Sequence, residues 1–240
     1  MADQIERVLA DFPTTRRAAR ARNMVHVASG DGVYTVYRDC GTLASDSSIS
    51  QLLPATVASL NFAAVDQCEH FAVHGGVAAR KGRTIAIPAE SGHGKTTLTG
   101  ALVRAGFDYL SDEALVFEDD GTIIPYPKPF ALSRWSADLL GVTVQGEETL
   151  ATAEDLGGKV GQGGKLTDLI LSEYGHDKPT LEPLPKSQAV AALIHYSFNH
   201  YKDPARAFRI ATEVARDINV WRLEYDDPIE AAELISTTLH

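Results

Sequence analysis

Alternation of strand-like and helix-like periods along the chain predicts an α/β fold. The period switches twice between residues 71 and 105, two tight-turn signals join short runs rich in Val, Ile and Tyr, and the C-terminal part repeats strand and helix in turn. With 240 residues, 44% of them apolar, the chain is long enough to fill one large domain, or a compact domain with a small appendage.

Residues 1–22 read as helix broken by Pro13, with Arg16, Arg17, Arg20 and Arg22 on its second piece, a cluster read as a solvated face rather than a dock for an acidic partner. Ser29-Gly30-Asp31-Gly32 then turns Met24–Val27 into Val33–Tyr37 as a β-hairpin. A polar loop over 45–50 leads into a helix over 52–67 whose Leu53, Val57, Leu60, Ala64 and Cys68 recur at helical spacing and read as core. Strands follow over 71–79 and 84–88 around a basic turn, Arg80 to Arg83, then a helix over 95–105 closed by Gly106. Strands over 107–110, 114–117 and 122–125 come next, the last two joined at Asp119-Asp120-Gly121, and the prolines at 125, 127 and 129 exclude a helix there. The glycine-rich stretch 151–165 reads as a mobile loop. Beyond it the pattern is strand 166–171, helices near 186–201 and 204–217, strand 220–225 and a final helix from Pro228. Tyr126, Phe130 and Trp135 read as core rather than interface.

Charge narrows the partners. With 22 Lys+Arg against 32 Asp+Glu the formal charge is -10, so no broad basic surface is available to displace counterions from a nucleic acid. No apolar run reaches the ~20 residues that a membrane helix needs, and no secretory signal pattern opens the chain. Cys40 and Cys68 read as reduced thiols rather than a stapled secreted scaffold. The expectation is a cytoplasmic protein without nucleic-acid or membrane partners.

The chemistry is concentrated in Ala89-Glu90-Ser91-Gly92-His93-Gly94-Lys95-Thr96, a strand-loop-helix phosphate motif with Ala89 where glycine is commoner. Gly92 and Gly94 let backbone amides converge on phosphate oxygens and the following helix adds its positive end. Lys95 can reach the β- and γ-phosphates, and Thr96 offers a hydroxyl to Mg²⁺. The nucleotide-contacting set expected from this motif runs from Ala89 to Thr97. A phosphate loop alone does not separate kinase, ATPase and switch. Ser111-Asp112-Glu113, with Asp112 seventeen residues after Lys95, ends the next strand and brings two carboxylates to the same sheet edge, one to help hold Mg²⁺ and one to act on an attacking hydroxyl. The alternative for that pair is a solvated strand end. His74, in Val73-His74-Gly75-Gly76-Val77, is left unassigned by its local sequence.

Taken together, His74-Gly75-x-Val77, Ser91-Gly92-x-Gly94-Lys95-Thr96, Arg104-Ala105-Gly106-Phe107 and Leu110-Ser111-Asp112-Glu113 resemble the catalytic domain of HPr kinase/phosphorylase and its shorter relatives, including HPr-kinase-like enzymes of lasso-type peptide-tailoring clusters. The resemblance spans residues 71–130. It implies a P-loop kinase core of the HPr kinase/phosphoenolpyruvate carboxykinase type, a mixed sheet with flanking helices, over residues 71–240, with 1–70 as an N-terminal helix and hairpin subregion of the same compact unit. It further implies ATP and Mg²⁺ as cofactors and phosphorylation of a serine or threonine hydroxyl on a peptide or protein. Asp112 matches the family's acid/base aspartate, Glu113 stands where a second, metal-associated aspartate is usual, and His74 matches an active-site histidine. The family forms rings, which makes a homo-oligomer an implied state. Of the family's later glutamate and glycine-rich signature only Gly157–Lys165 is suggestive, and the reading expects no counterpart of the N-terminal domain of full-length members.

The reading is therefore a kinase with Lys95, Asp112 and His74 as catalytic residues and Thr96 and Glu113 as metal ligands. Two alternatives stand beside it: a kinase of a small-molecule hydroxyl bound beneath Gly157–Lys165, and a nucleotide-binding regulatory module that transfers nothing.

Overall fold

The computed structural model describes residues 2–12, 25–38, 41–90 and 92–239. Helix α1 (Ala2–Val8) covers only the start of the helix expected over 1–22; Pro13 and the four arginines after it lie outside the described residues, as do Met24, Cys40 and Ser91. Next come β1 (Val25–Gly30), β2 (Val33–Arg38) and β3 (Gly41–Asp46), a small antiparallel sheet. Asp31 and Gly32, both at positive φ, make the two-residue turn whose twist matches the flanking strands. The polar loop expected over 45–50 is shorter than that, because Ser45 pairs with Thr35 inside β3 and helix α2 (Ile49–Asp66) starts at Ile49. On α2, Leu52, Leu53, Thr56 and Val57 are buried, whereas Leu60 and Cys68 are half-buried and Ala64 is exposed, so the expected stripe is core only in its first half. Cys68 is a free thiol.

The larger sheet starts with β4 (Phe71–Arg80) and β5 (Arg83–Pro88) and continues, after helix α3 (Lys95–Arg104), with β6 (Asp108–Ser111), β7 (Ala114–Phe117) and β8 (Thr122–Ile124). A two-stranded ribbon of β9 (Phe130–Ser133) and β10 (Glu148–Ala151) brackets helix α4 (Arg134–Leu139). The sheet is completed by β11 (Gly164–Lys165), β12 (Asp168–Tyr174), β13 (Thr180–Pro183) and β14 (Asn219–Tyr225), with helices α5 (Ser187–His195), α6 (Pro204–Asp217) and α7 (Pro228–Thr238). Its order is β11-β8-β7-β4-β5-β12-β14-β13, with β6 paired to β4 alongside β7. β5, β12 and β14 run parallel and the remaining pairings are antiparallel. The architecture is thus α/β with a mixed sheet and flanking helices, as expected.

Two layers of helix sandwich this sheet. On one face Leu98 and Leu102 of α3 and Ala231 and Ile235 of α7 pack with Ile85, Ile87 and Leu223. On the other, Leu193 of α5 and Ile210, Ala211 and Val214 of α6 pack with Val73, Ala86 and Leu169. The strand between carries Ile85, Ala86 and Ile87 at 1% exposure or less, the unbroken apolar run that a strand covered on both faces requires. Helix α6 buries Ala207, Ile210, Ala211 and Val214, the i, i+3, i+4, i+7 positions of one face. It opens on Asp203, whose side chain accepts the Arg206 amide, followed by Pro204. The helix expected near 186–201 ends early, at His195, and the strand expected over 166–171 sits slightly later, over Asp168–Tyr174.

The stretch 151–165 is not the mobile loop expected. After β10 it makes a helical turn at Glu154–Leu156, runs beside β6 through a bridge of Val160 to Tyr109, and ends in β11 against β8. Gly158 and Gly163 allow close approach of neighbouring segments: a Cβ on Gly158 would stand 2.3 Å from Val103, and one on Gly163 2.0 Å from the Ile123 carbonyl. Among the described residues no helix is long and apolar enough to cross a membrane.

Candidate functional site

β5 delivers its chain directly into the glycine loop, and α3 leaves it. Gly92 and Gly94 take φ of +86° and +75°, the left-handed region that costs glycine nothing, and Gly94 is the N-cap of α3. That helix start has no side-chain cap, so its first amides keep their hydrogen-bonding capacity for something else. Lys95 is the first helical residue and is buried at 6% exposure. Burial pulls its ammonium below the usual lysine value, opposed by the nearby charges of Asp112 and Glu113. Behind it, Thr97 Oγ1 shares a hydrogen bond of 2.8 Å with Ser136 Oγ on α4.

The carboxylates come from the β6–β7 turn. Ser111 Oγ accepts the amides of Glu113 at 3.1 Å and Ala114 at 3.0 Å, closing a tight corner that turns Asp112 inward to 2% exposure. Asp112 Oδ1 lies 3.0 Å from Lys128 Nζ and 3.0 Å from Tyr109 Oη. The Tyr109 hydroxyl has one proton and a shorter contact, 2.7 Å, to the Lys128 carbonyl, so Lys128 is the main partner of Asp112. Glu113 is partly exposed, with Lys128 Nζ at 3.7 Å and His74 Nε2 at 3.8 Å. Burial works against the Lys128 ammonium, but Asp112 and Glu113 outweigh it and hold its pKa above the usual value. His74 is depressed to about 4, chiefly by burial and then by Lys95, so its contact with Glu113 at neutral pH joins a neutral ring to a carboxylate and is no ion pair.

These groups share one cavity of about 720 Å³. Of the residues expected from sequence, His74, Gly92, His93, Gly94, Lys95, Thr96, Thr97, Asp112 and Glu113 line it. Ala89 is buried beneath the loop and Glu90 is exposed, 3.8 Å from His195, so neither forms the wall; Ser91 lies outside the described residues. No residue of Gly157–Lys165 lines the cavity, so the expectation of an acceptor beneath that stretch is corrected. Trp135, expected in the core, is 54% exposed at the cavity wall, while Phe130 is buried and Tyr126 half-buried.

Several wall residues were missed by sequence reasoning: Lys128, Ser133, Ser136, Glu148, Tyr174 and Tyr225. For Lys128 a signal existed, a lone lysine held between Pro127 and Pro129 in a run otherwise apolar. Chemically, the loop amides, Lys95 and Lys128 offer donors and charge to a polyphosphate, and the Thr96 hydroxyl with the Glu113 carboxylate offers hard oxygen ligands of the kind Mg²⁺ takes. Comparison with known families finds no family model that matches this chain, and comparison with curated proteins finds no matching relative.

Proposed function

We propose that this protein is an ATP- and Mg²⁺-dependent kinase that transfers the γ-phosphoryl group to a hydroxyl, that of a serine or threonine in a peptide or protein. The observation that carries this reading is the meeting of two separate segments in one cavity: buried Lys95 from the glycine loop and buried Asp112 from the β6–β7 turn, with Glu113 and Lys128 beside them. A simple phosphate-binding turn needs no buried carboxylate facing its anion, whereas phosphoryl transfer to a hydroxyl needs a group to take the proton. The cavity volume falls in the range of small-molecule sites, roughly 300–1,000 Å³. The sequence resemblance to HPr kinase-like catalytic domains supports the same core, site and chemistry.

In this mechanism the loop amides and Lys95 hold the β- and γ-phosphates, and Asp112 orients the acceptor hydroxyl and takes its proton. As the acceptor oxygen bonds to the γ-phosphorus, the bond from that phosphorus to the bridging oxygen breaks and its electrons leave with ADP. Lys128 keeps Asp112 in place and adds positive charge near the transferring group. His74, neutral, packs beside Glu113 without competing for it as a cation. Thr96 and Glu113 would hold Mg²⁺, whose charge, when bound, offsets that of the phosphate oxygens.

The test is transfer from γ-labelled ATP to peptides and extracts of the source cell, read by mass spectrometry. Lys95→Ala and Asp112→Asn should both abolish labelling, as should chelation of divalent cations, and only Asp112→Asn should keep nucleotide affinity near wild type. Full transfer by Asp112→Asn sinks the assignment. Label found on metabolites alone replaces the peptide acceptor with a small-molecule one, and tight ATP binding without transfer to any hydroxyl replaces the kinase with a nucleotide-binding module.

A further inference from the structure

Among the described residues, four buried side-chain atoms have no hydrogen-bond partner: Ser172 Oγ, His200 Nδ1, Arg222 Nε and Tyr225 Oη. Only Tyr225 belongs to the wall of the cavity described above. It is the last residue of β14, 0% exposed. Its hydroxyl reaches the glycine loop so closely that a Cβ built on Gly94 would stand 3.1 Å from it. A buried hydroxyl left without a partner costs on the order of 1–3 kcal/mol, and the rest of the ring is firmly held. Tyr174 packs edge-to-face on it, with centroids 5.6 Å apart at 83°.

We propose that Tyr225 Oη is a phosphate-chain contact, donating its O–H to an oxygen of the polyphosphate seated on Gly92–Thr96. This rests on the kinase reading of the same cavity and adds to it a donor from the far side of the loop, opposite Asp112. The position suits the role. Gly94 is the N-cap of α3, where the helix amides converge, and lacking a side chain it leaves the hydroxyl a path to an anion there. Burial, and then the neighbouring Tyr174, push the phenol up to about 12, so the group remains a donor across the working pH range. Closed off from bulk water, a single donor acts at low effective dielectric, where it is worth most.

Tyr225→Phe separates this role from a structural one, because it deletes only the oxygen. Wild type, Tyr225→Phe and Lys95→Ala are compared by thermal melting without ligand and by calorimetric titration with ATP, ADP, inorganic tripolyphosphate and adenosine. The expected result is an unliganded Tm for Tyr225→Phe equal to or above wild type, since an unpaired polar atom has been removed. With it goes a loss of about tenfold in affinity, shared by ATP, ADP and tripolyphosphate, the effect of one hydrogen bond to a charged acceptor. Unchanged ATP affinity in Tyr225→Phe, with binding lost in Lys95→Ala, overturns the contact and leaves the kinase reading standing. So does a loss seen with ATP but not with tripolyphosphate, which moves the contact to the nucleoside. A fall of several degrees in unliganded Tm overturns it too, by showing that the hydroxyl has a structural partner. A wild-type protein that binds no polyphosphate, indistinguishable from Lys95→Ala, overturns both readings together.

Discussion

Two buried aspartates, one at each end of the central strands, show how the same side chain is used for opposite purposes. Asp168 opens β12 at 0% exposure, and its carboxylate is saturated: Arg83 donates at 2.8 Å to each oxygen, with Thr167 at 2.7 Å, Trp221 at 2.9 Å and Asn219 at 3.1 Å completing the shell. Burial alone would raise its pKa, but these donors outweigh burial and hold it below the usual value. Asp112, equally buried, has one lysine and part of one tyrosine proton, and it faces a cavity. The saturated carboxylate ties β5, β12 and β14 together. The under-satisfied one leaves lone pairs open to the cavity.

This contrast can be broken by mutation, and the largest effect belongs to Asp112. Asp112→Asn should lower phosphoryl transfer by ~10²–10⁴-fold, the range for a lost general base, in the labelled-ATP assay, with a smaller change in unfolding free energy than any loss at Asp168. The converse is expected of Asp168→Ala, which strands Arg83 beside a void and should cost about 3–5 kcal/mol in urea unfolding; equal stability losses at both sites would erase the contrast. A pH series sharpens it. Because the folded-state pKa of Asp168 is depressed, its contribution is fully present above the unfolded carboxylate value near ~3.9 and is lost as pH falls through the folded value. Wild-type stability should therefore drop at acid pH with a component that Asp168→Ala lacks. The smallest effect is reserved for the cavity wall: Trp135→Ala, removing a 54% exposed ring, should change unfolding free energy by less than about 0.5 kcal/mol, and any loss of transfer it causes then reports acceptor contact.

Local signals were the legible ones. The glycine loop, the Asp119–Gly121 hairpin and the Pro204 and Pro228 helix starts are written in neighbouring residues, because turns and caps are closed by groups two to four positions apart. Helix α6 was readable for the same reason, its apolar face repeating within one element. The ribbon of β9 and β10 gave no such signal: its strands are four residues each and are separated by a helix. Residues 151–165 misled, since glycine near a loop and glycine pressed against Val103 or Ile123 look alike until the neighbour is known.

By itself the sequence determined an α/β chain with a glycine loop between a strand and a helix and two carboxylates a short distance after it, since periodicity, turn chemistry and spacing are properties of contiguous residues. Only the tertiary structure decided which distant groups meet that loop. Lys128 reaches Asp112 because the proline-bound run after β8 passes over the β6–β7 turn, and Tyr225 reaches Gly94 because β14 lies two strands from β5 in a parallel order. Strand order and the path of a crossing segment arise from burial of both sheet faces, a property of the whole chain that no window of sequence contains.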